Sequence, residues 1–175
     1  MNRSDMTRRE LIQIGAAVCA VGAVGAAPAT NSSPHFFSAE EFAMLDELTE
    51  LIIPTDEHSP GARAAGVAAY IDGTLSESVI ESEKNQWRDG VRRVDALTNK
   101  LHGRSFMQAT LEQRVAVLSH MAHNEANPQT PEELFFVQLK SSTASAYYSS
   151  KTGIHQEMEY KGNVLLDEFA GYEVK

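Results

Sequence analysis

Three times in this chain a serine or threonine stands three residues ahead of a glutamate or glutamine, at the head of an apolar run with helical spacing: Ser38 with Glu41, Thr110 with Gln113, and Thr130 with Glu133. In such a box the hydroxyl accepts from the backbone N–H three residues on. The longer side chain reaches back to the capping residue's own N–H, so two donors that a helix start leaves orphaned are satisfied together. Behind Ser38, Phe42, Leu45, Leu48 and Ile52 share one face until Pro54 stops the run. Behind Thr110 come Leu111, Val115, Leu118 and Ala122. Behind Thr130 the first helical position is Pro131, where a missing N–H costs nothing, and Phe135, Phe136, Leu139, Thr143 and Tyr147 follow.

Spacing alone predicts two more helices. One carries Ala64, Ala68, Ile71 and Leu75; the other spans roughly Glu77 to Leu101, with Trp87, Val91, Val94 and Leu101 on one stripe and His102-Gly103 at its end. Gly90 weakens the second of these and marks a place for a break. Thr55 to Gly61 reads as a polar loop, and beyond Gly153 the periodicity lapses into an irregular tail, Ile154 to Lys175. No period-2 segment is long enough for a strand. The expectation is an all-α fold: one small domain of about five helices over residues 38–175.

The N-terminus has a different character. Thr7-Arg8-Arg9-Glu10-Leu11-Ile12-Gln13 sets paired arginines before an Ala/Gly-rich apolar stretch, Leu11 to Ala27, and Ala27-Pro28-Ala29 supplies an A-x-A cleavage site. That layout predicts a twin-arginine export signal over residues 1–29 and a periplasmic destination, with residues 30–37 as a linker. The stretch is short and weakly apolar for a bilayer span, which needs about 20 strongly apolar residues. Arg8, Arg9, Ala27 and Ala29 carry the signal, and the twin-arginine translocase is the first expected partner. Cys19, the single cysteine, lies within the signal, and Val18 before it is not the small residue that lipoprotein sites use. Without it the rest of the chain has no disulfide, thiolate metal site or C-x-x-C-H haem attachment.

Charge excludes some partners. The chain holds 15 basic and 24 acidic residues, a net of −9. Removing the leader takes away Arg3, Arg8 and Arg9 with Asp5 and Glu10, which leaves the remainder more acidic still. Such a surface repels phosphate backbones and anionic lipid, so no nucleic acid is expected as a partner.

Candidate chemistry is sparse. His120 and His123 lie three apart, as a helical metal pair would, with Glu125 nearby, but no third and fourth ligand stands at recognisable spacing. Two histidines near a helix C-terminus are also what the helix dipole favours. His58, beside Asp56 and Glu57, has no accompanying nucleophile or oxyanion donor. Neither a G-x-G-x-x-G nor a G-x-S-x-G follows the leader, so the domain reads as non-catalytic by itself, with no cofactor and no metal of its own. The adjacent pairs Phe135-Phe136 and Tyr147-Tyr148 are more informative. Neighbours on a helix point about 100° apart. Either all four rings are core, or one of each pair lies at a contact surface.

Several stretches resemble the gluconate 2-dehydrogenase subunit 3 family, the small subunit of bacterial FAD-dependent sugar dehydrogenases. Leu48-Thr-Glu-Leu-Ile-Ile-Pro-Thr-Asp56 is similar to the family's helix ending in I-I-P-T/A-D. Ser59-Pro60-Gly61-Ala62 through Ala65-Gly66-Val67 to Tyr70-Ile71-Asp72 resembles its S-P-G-A…A-G-V…[FY]-I-D block. Phe135-Phe136…Leu139-Lys140, Tyr147-Tyr148-Ser149-Ser150 and Glu159-Tyr160-Lys161-Gly162-Asn163 match later elements in order. Ala146 stands where the family commonly has glycine, and Phe169-Ala170-Gly171-Tyr172 replaces a frequent F-P-G-C ending.

The resemblance implies a three-part enzyme. A large flavoprotein of the glucose-methanol-choline type oxidises a sugar or sugar acid on FAD, and a c-type cytochrome subunit with haem c passes the electrons on. The small subunit has no catalytic residue; it supplies the export signal, and the folded large subunit travels out bound to it. The partner surface is then expected at Pro60, Gly61, Ala65, Gly66, Tyr70, Phe135, Tyr147, Tyr148, Tyr160, Gly162 and Asn163. The helix around Ala64, Ala65, Gly66, Ala68 and Ala69 either packs between two internal neighbours or packs inward through Val67 and Ile71 and turns its other face to that subunit, and the resemblance favours the second. Two other classes remain: a free-standing periplasmic helical binding or stress protein, and a small enzyme using His120/His123 or His58.

Overall fold

A computed structural model describes residues 34–158 except residue 58, with the backbone alone at residues 156 and 157. The described chain runs through α1 (Ala39–Ile52), the one-turn α2 (Gly61–Ala64), α3 (Val67–Glu77), α4 (Glu81–His102), a 3₁₀ turn (Phe106–Gln108), α5 (Leu111–Met121), α6 (Pro131–Ser149) and a π turn (Gly153–Glu157). No strand occurs among the described residues. The fold is all-α, with five longer helices, as the sequence predicts.

All three capping boxes close reciprocally. Ser38 N–H donates to Glu41 Oε2 (3.0 Å) while Glu41 N–H donates to Ser38 Oγ (3.2 Å). The Thr110/Gln113 pair does the same at 3.0 and 3.3 Å, and the Thr130/Glu133 pair at 3.0 and 3.3 Å. Glu133 does more: its Oε2 also accepts from Gln129 N–H (2.7 Å) and its Oε1 from Asn124 Nδ2 (2.8 Å), tying the loop after α5 to the start of α6.

Helix α6 is the axis of the domain. It packs against α1, α3, α4 and α5, so a single apolar stripe would not suffice. Phe135, Phe136, Leu139, Thr143, Ala146 and Tyr147 are all buried along it. Thr143 sits in this apolar setting because its hydroxyl donates to the Leu139 carbonyl (2.7 Å). Trp87 of α4 meets the Phe135 ring edge-on, centroids 5.6 Å apart.

Five expectations need correction. The second predicted helix is two helices: Gly66 takes φ +70°, a left-handed conformation that ends α2 and starts α3 in a new direction, and Ala64 is exposed. The third helix starts at Glu81, because Ser78 leaves α3 in an extended conformation. In its buried stripe Thr98 takes the place given to Leu101, which is exposed. Gly90 does not break α4; a Cβ there would lie 2.0 Å from Phe135 Cδ2, so the glycine is where the α6 ring enters. On α5 the inward face is Val117, Leu118 and Met121, with Leu111 outside.

Both ends also differ from expectation. The 30–37 linker ends in residues that belong to the fold, since Phe37 is in the core. The irregular tail starts with the ordered π turn, and Gly153 is required there because its Cα sits against the Tyr147 carbonyl, where a Cβ would approach to 2.1 Å.

Candidate partner-binding surface

The loop joining α1 to α2 is built around two side chains. Glu50 accepts from Thr55 N–H (3.0 Å), Thr55 Oγ1 (2.7 Å) and Arg63 N–H (2.8 Å), fastening both ends of the loop to α1. Asp56 N–H donates to the Ser59 carbonyl (2.8 Å), and Ser59 N–H donates back to Asp56 Oδ1 (2.7 Å). The Ser59 hydroxyl then pairs with the Tyr147 hydroxyl at 2.7 Å, buried, across 88 residues of sequence. Gly61 closes the loop at φ +77°, with Thr55 Oγ1 only 2.5 Å from where its Cβ would be.

A second clamp holds the N-terminal segment. Asp72 of α3 is 1% exposed, and its carboxylate accepts from three consecutive backbone N–H groups: His35 (2.6 Å), Phe36 (3.1 Å) and Phe37 (2.9 Å). From α4, Arg88 Nη2 donates to the Phe36 carbonyl (3.1 Å) and its guanidinium lies 4.2 Å from the Phe36 ring centroid. The chain therefore enters the domain along a fixed track between α3 and α4.

Charges are organised nearby. Glu47 of α1 bridges Arg63 (2.9 Å) and Arg114 (2.7 Å), while Arg63 also pairs with Asp46 (2.5 Å). Burial opposes the Arg63 charge, but hydrogen bonds to Asp46 and Glu47 and the nearby Glu50 outweigh it and hold the guanidinium above its ordinary pKa. Arg114 also donates to the Phe106 and Met107 carbonyls, so these pairs fasten α2 and α5 to α1.

The residues expected at a partner surface separate into two groups. Gly61, Phe135 and Tyr147 are buried. Phe135 and Phe136 are both core, because Gly90 makes room for one and α6 has neighbours on several sides. In the tyrosine pair, Tyr147 is core and Tyr148 is 46% exposed. Pro60, Ala65, Gly66 and Tyr70 reach solvent, Tyr70 at 61%. Val67 and Ile71 face inward. Tyr160, Gly162, Asn163 and the signal residues Arg8, Arg9, Ala27 and Ala29 lie outside the described residues, as does His58. His120 and His123 are both exposed near the end of α5, and among the described residues no three His, Cys, Asp or Glu side chains gather as a metal site would require.

One shallow cleft, about 270 Å³, lies where α3, α4 and α6 meet. Ile71, Leu75, Trp87 and Ala146 line its apolar part; Tyr70, Thr74, Glu83 and three α6 serines add polar groups. Glu83 is its sole titratable acid, so it lacks the converging acid–base pairs of a catalytic pocket. Sequence reasoning singled out Tyr70 on this face but not the cleft or the exposed tip beside it, since neither carries a periodic signal. No helix among the described residues is long and apolar enough to cross a membrane.

The family model described as Gluconate 2-dehydrogenase subunit 3 matches residues 39–164. No curated protein and no solved structure matches the chain.

Proposed function

Since this chain belongs to the gluconate 2-dehydrogenase subunit 3 family, and so to the accessory subunits of a dehydrogenase complex, we propose that it is the non-catalytic small subunit that exports and stabilises an FAD-bearing catalytic subunit. In this reading the large subunit folds around FAD in the cytoplasm, binds the small one, and crosses to the periplasm on the signal carried by Arg8 and Arg9. A c-type cytochrome subunit then takes the electrons from the flavoprotein. The observation that carries the reading is the family match over residues 39–164. One sequence feature supports it: the arginine pair ahead of an A-x-A site. Binding only the folded partner would also stabilise that partner by mass action.

The test is co-expression of the chain with a flavoprotein encoded beside it. The flavin should co-purify with the small subunit, and sugar-dependent dye reduction should appear only in the complex. Changing Arg8 and Arg9 together to lysine should leave both chains in the cytoplasm. Partner found in the periplasm of that double variant would sink co-export, and absence of any co-purifying flavoprotein would sink the subunit reading.

A further inference from the structure

We propose that the tip between α3 and α4, Ser78-Val79-Ile80, is the anchor by which this chain seats on the catalytic subunit, entering an apolar pocket edged with lysine or arginine. The proposal rests on the subunit reading above and adds the place and chemistry of contact. Val79 is 92% exposed and Ile80 55%, an adjacent apolar pair in the short connection between two helices. Neither is in the domain's own core, so the fold does not account for them.

The tip is also pre-shaped. Ser78 N–H donates to the Thr74 carbonyl (3.0 Å), and Ser78 Oγ donates to Glu83 Oε2 (2.9 Å) and accepts from Ile80 N–H (3.2 Å). Glu83 N–H donates to the Ile80 carbonyl (3.1 Å). A loop tied at both ends loses little freedom on docking, so an apolar pair held proud on it has the properties of an interface anchor.

The surroundings select the occupant. Glu77 and Glu81 are exposed on either side of the tip, and Lys84 is paired with Glu81 (3.1 Å). This acidic collar repels anionic lipid and a second copy of this chain, whose net charge is −9, and favours a pocket with a basic rim. Tyr70 and the cleft continue the footprint along α3, since Leu75 and Glu83 lie both in the cleft and beside the tip.

The experiment measures binding of the full chain to the co-expressed flavoprotein. A double variant, Val79→Ser with Ile80→Ser, should weaken the complex at least about thirtyfold while leaving the melting of the isolated chain unchanged. Charge reversal by Glu77→Lys with Glu81→Lys should weaken it further as ionic strength falls, the opposite of the parent's salt response. Leu134→Ser, at another exposed apolar site (56%), should bind as the parent does. Parent-like affinity of the tip double variant overturns the proposal, as does equal loss in Leu134→Ser. A dimer of the isolated chain, or its flotation with anionic vesicles, that disappears in the tip variant would assign the tip to another occupant and equally overturn it. If the unaltered chain binds no flavoprotein at all, the subunit reading itself has failed.

Discussion

Replacing Asp72 with alanine should detach the N-terminal segment while leaving the helices in place. The carboxylate is the acceptor for His35, Phe36 and Phe37 N–H at 2.6, 3.1 and 2.9 Å. Of these only the Phe37 bond is fully buried; the other two are partly so and can turn to water. A buried donor left unsatisfied costs about 1–3 kcal/mol, and a bond exchanged with water about 0.5–1.5 kcal/mol. The three together come to about 2–6 kcal/mol, with a centre of about 4, and Phe37 loses its hold on the core as well. For a domain of this size that lowers the melting midpoint by about 10 °C. Asp72→Asn keeps the shape but turns one acceptor into a donor aimed at a backbone N–H, so it should lose about 2 kcal/mol. Urea and thermal melts of the chain without its leader give the totals, and amide exchange gives the location. Protection at residues 36 and 37 should vanish while that of α6 falls only with the global stability. A melting midpoint within about 2 °C of the parent, or unchanged protection at those amides, would refute the reasoning.

Gly90→Ala gains about 1 kcal/mol of helix propensity but drives a methyl into the Phe135 ring, so thermal melts should show a net loss of about 1–3 kcal/mol. Pairing it with Phe135→Leu should recover part of that loss. Tyr147→Phe removes the 2.7 Å hydroxyl pair with Ser59 and should cost about 1–2 kcal/mol by urea titration. Adding Ser59→Ala to it should cost less than the sum of the two singles. The N–H groups of Gln129 and Thr130 hold the Glu133 carboxyl below its ordinary pKa. Its stabilisation is therefore fully present above the ordinary carboxylate value and is lost as pH falls through the lowered folded one. Glu133→Gln should flatten the acid limb of the stability–pH curve, and an unchanged limb would contradict this.

What the sequence made legible was chemistry confined to a few neighbouring residues. Each capping box needs only two side chains and their own backbone, and all three formed. Pro54 stopped α1 for the same local reason. Gly66 was misread because a left-handed glycine among alanines looks like helix until its φ is known. Gly90 was read as weakness when it was a close approach, a fact that resides in Phe135, 45 positions away. The Asp72 clamp escaped notice because its partners are three main-chain amides, which leave no mark on residue identity. On the candidate surface, Tyr70 and Tyr148 could be reasoned to the outside, but the Val79-Ile80 tip emerged only once Ser78 was seen to end α3.

The bond between Ser59 and Tyr147 sets an order of events during synthesis. Its two halves are 88 residues apart, and at about 5–20 residues per second the ribosome adds Tyr147 roughly 4–18 s after Ser59. Over that interval α1, α2 and α3 can nucleate on their own local signals, but the α1–α2 loop waits for its last hydroxyl and α3 for the helix it packs against. The domain therefore completes itself late and nearly all at once, when α6 arrives. A nascent chain arrested before Pro131 would carry every residue of the Asp72 clamp and of the exposed tip, yet lack the α6 scaffold that holds them in position.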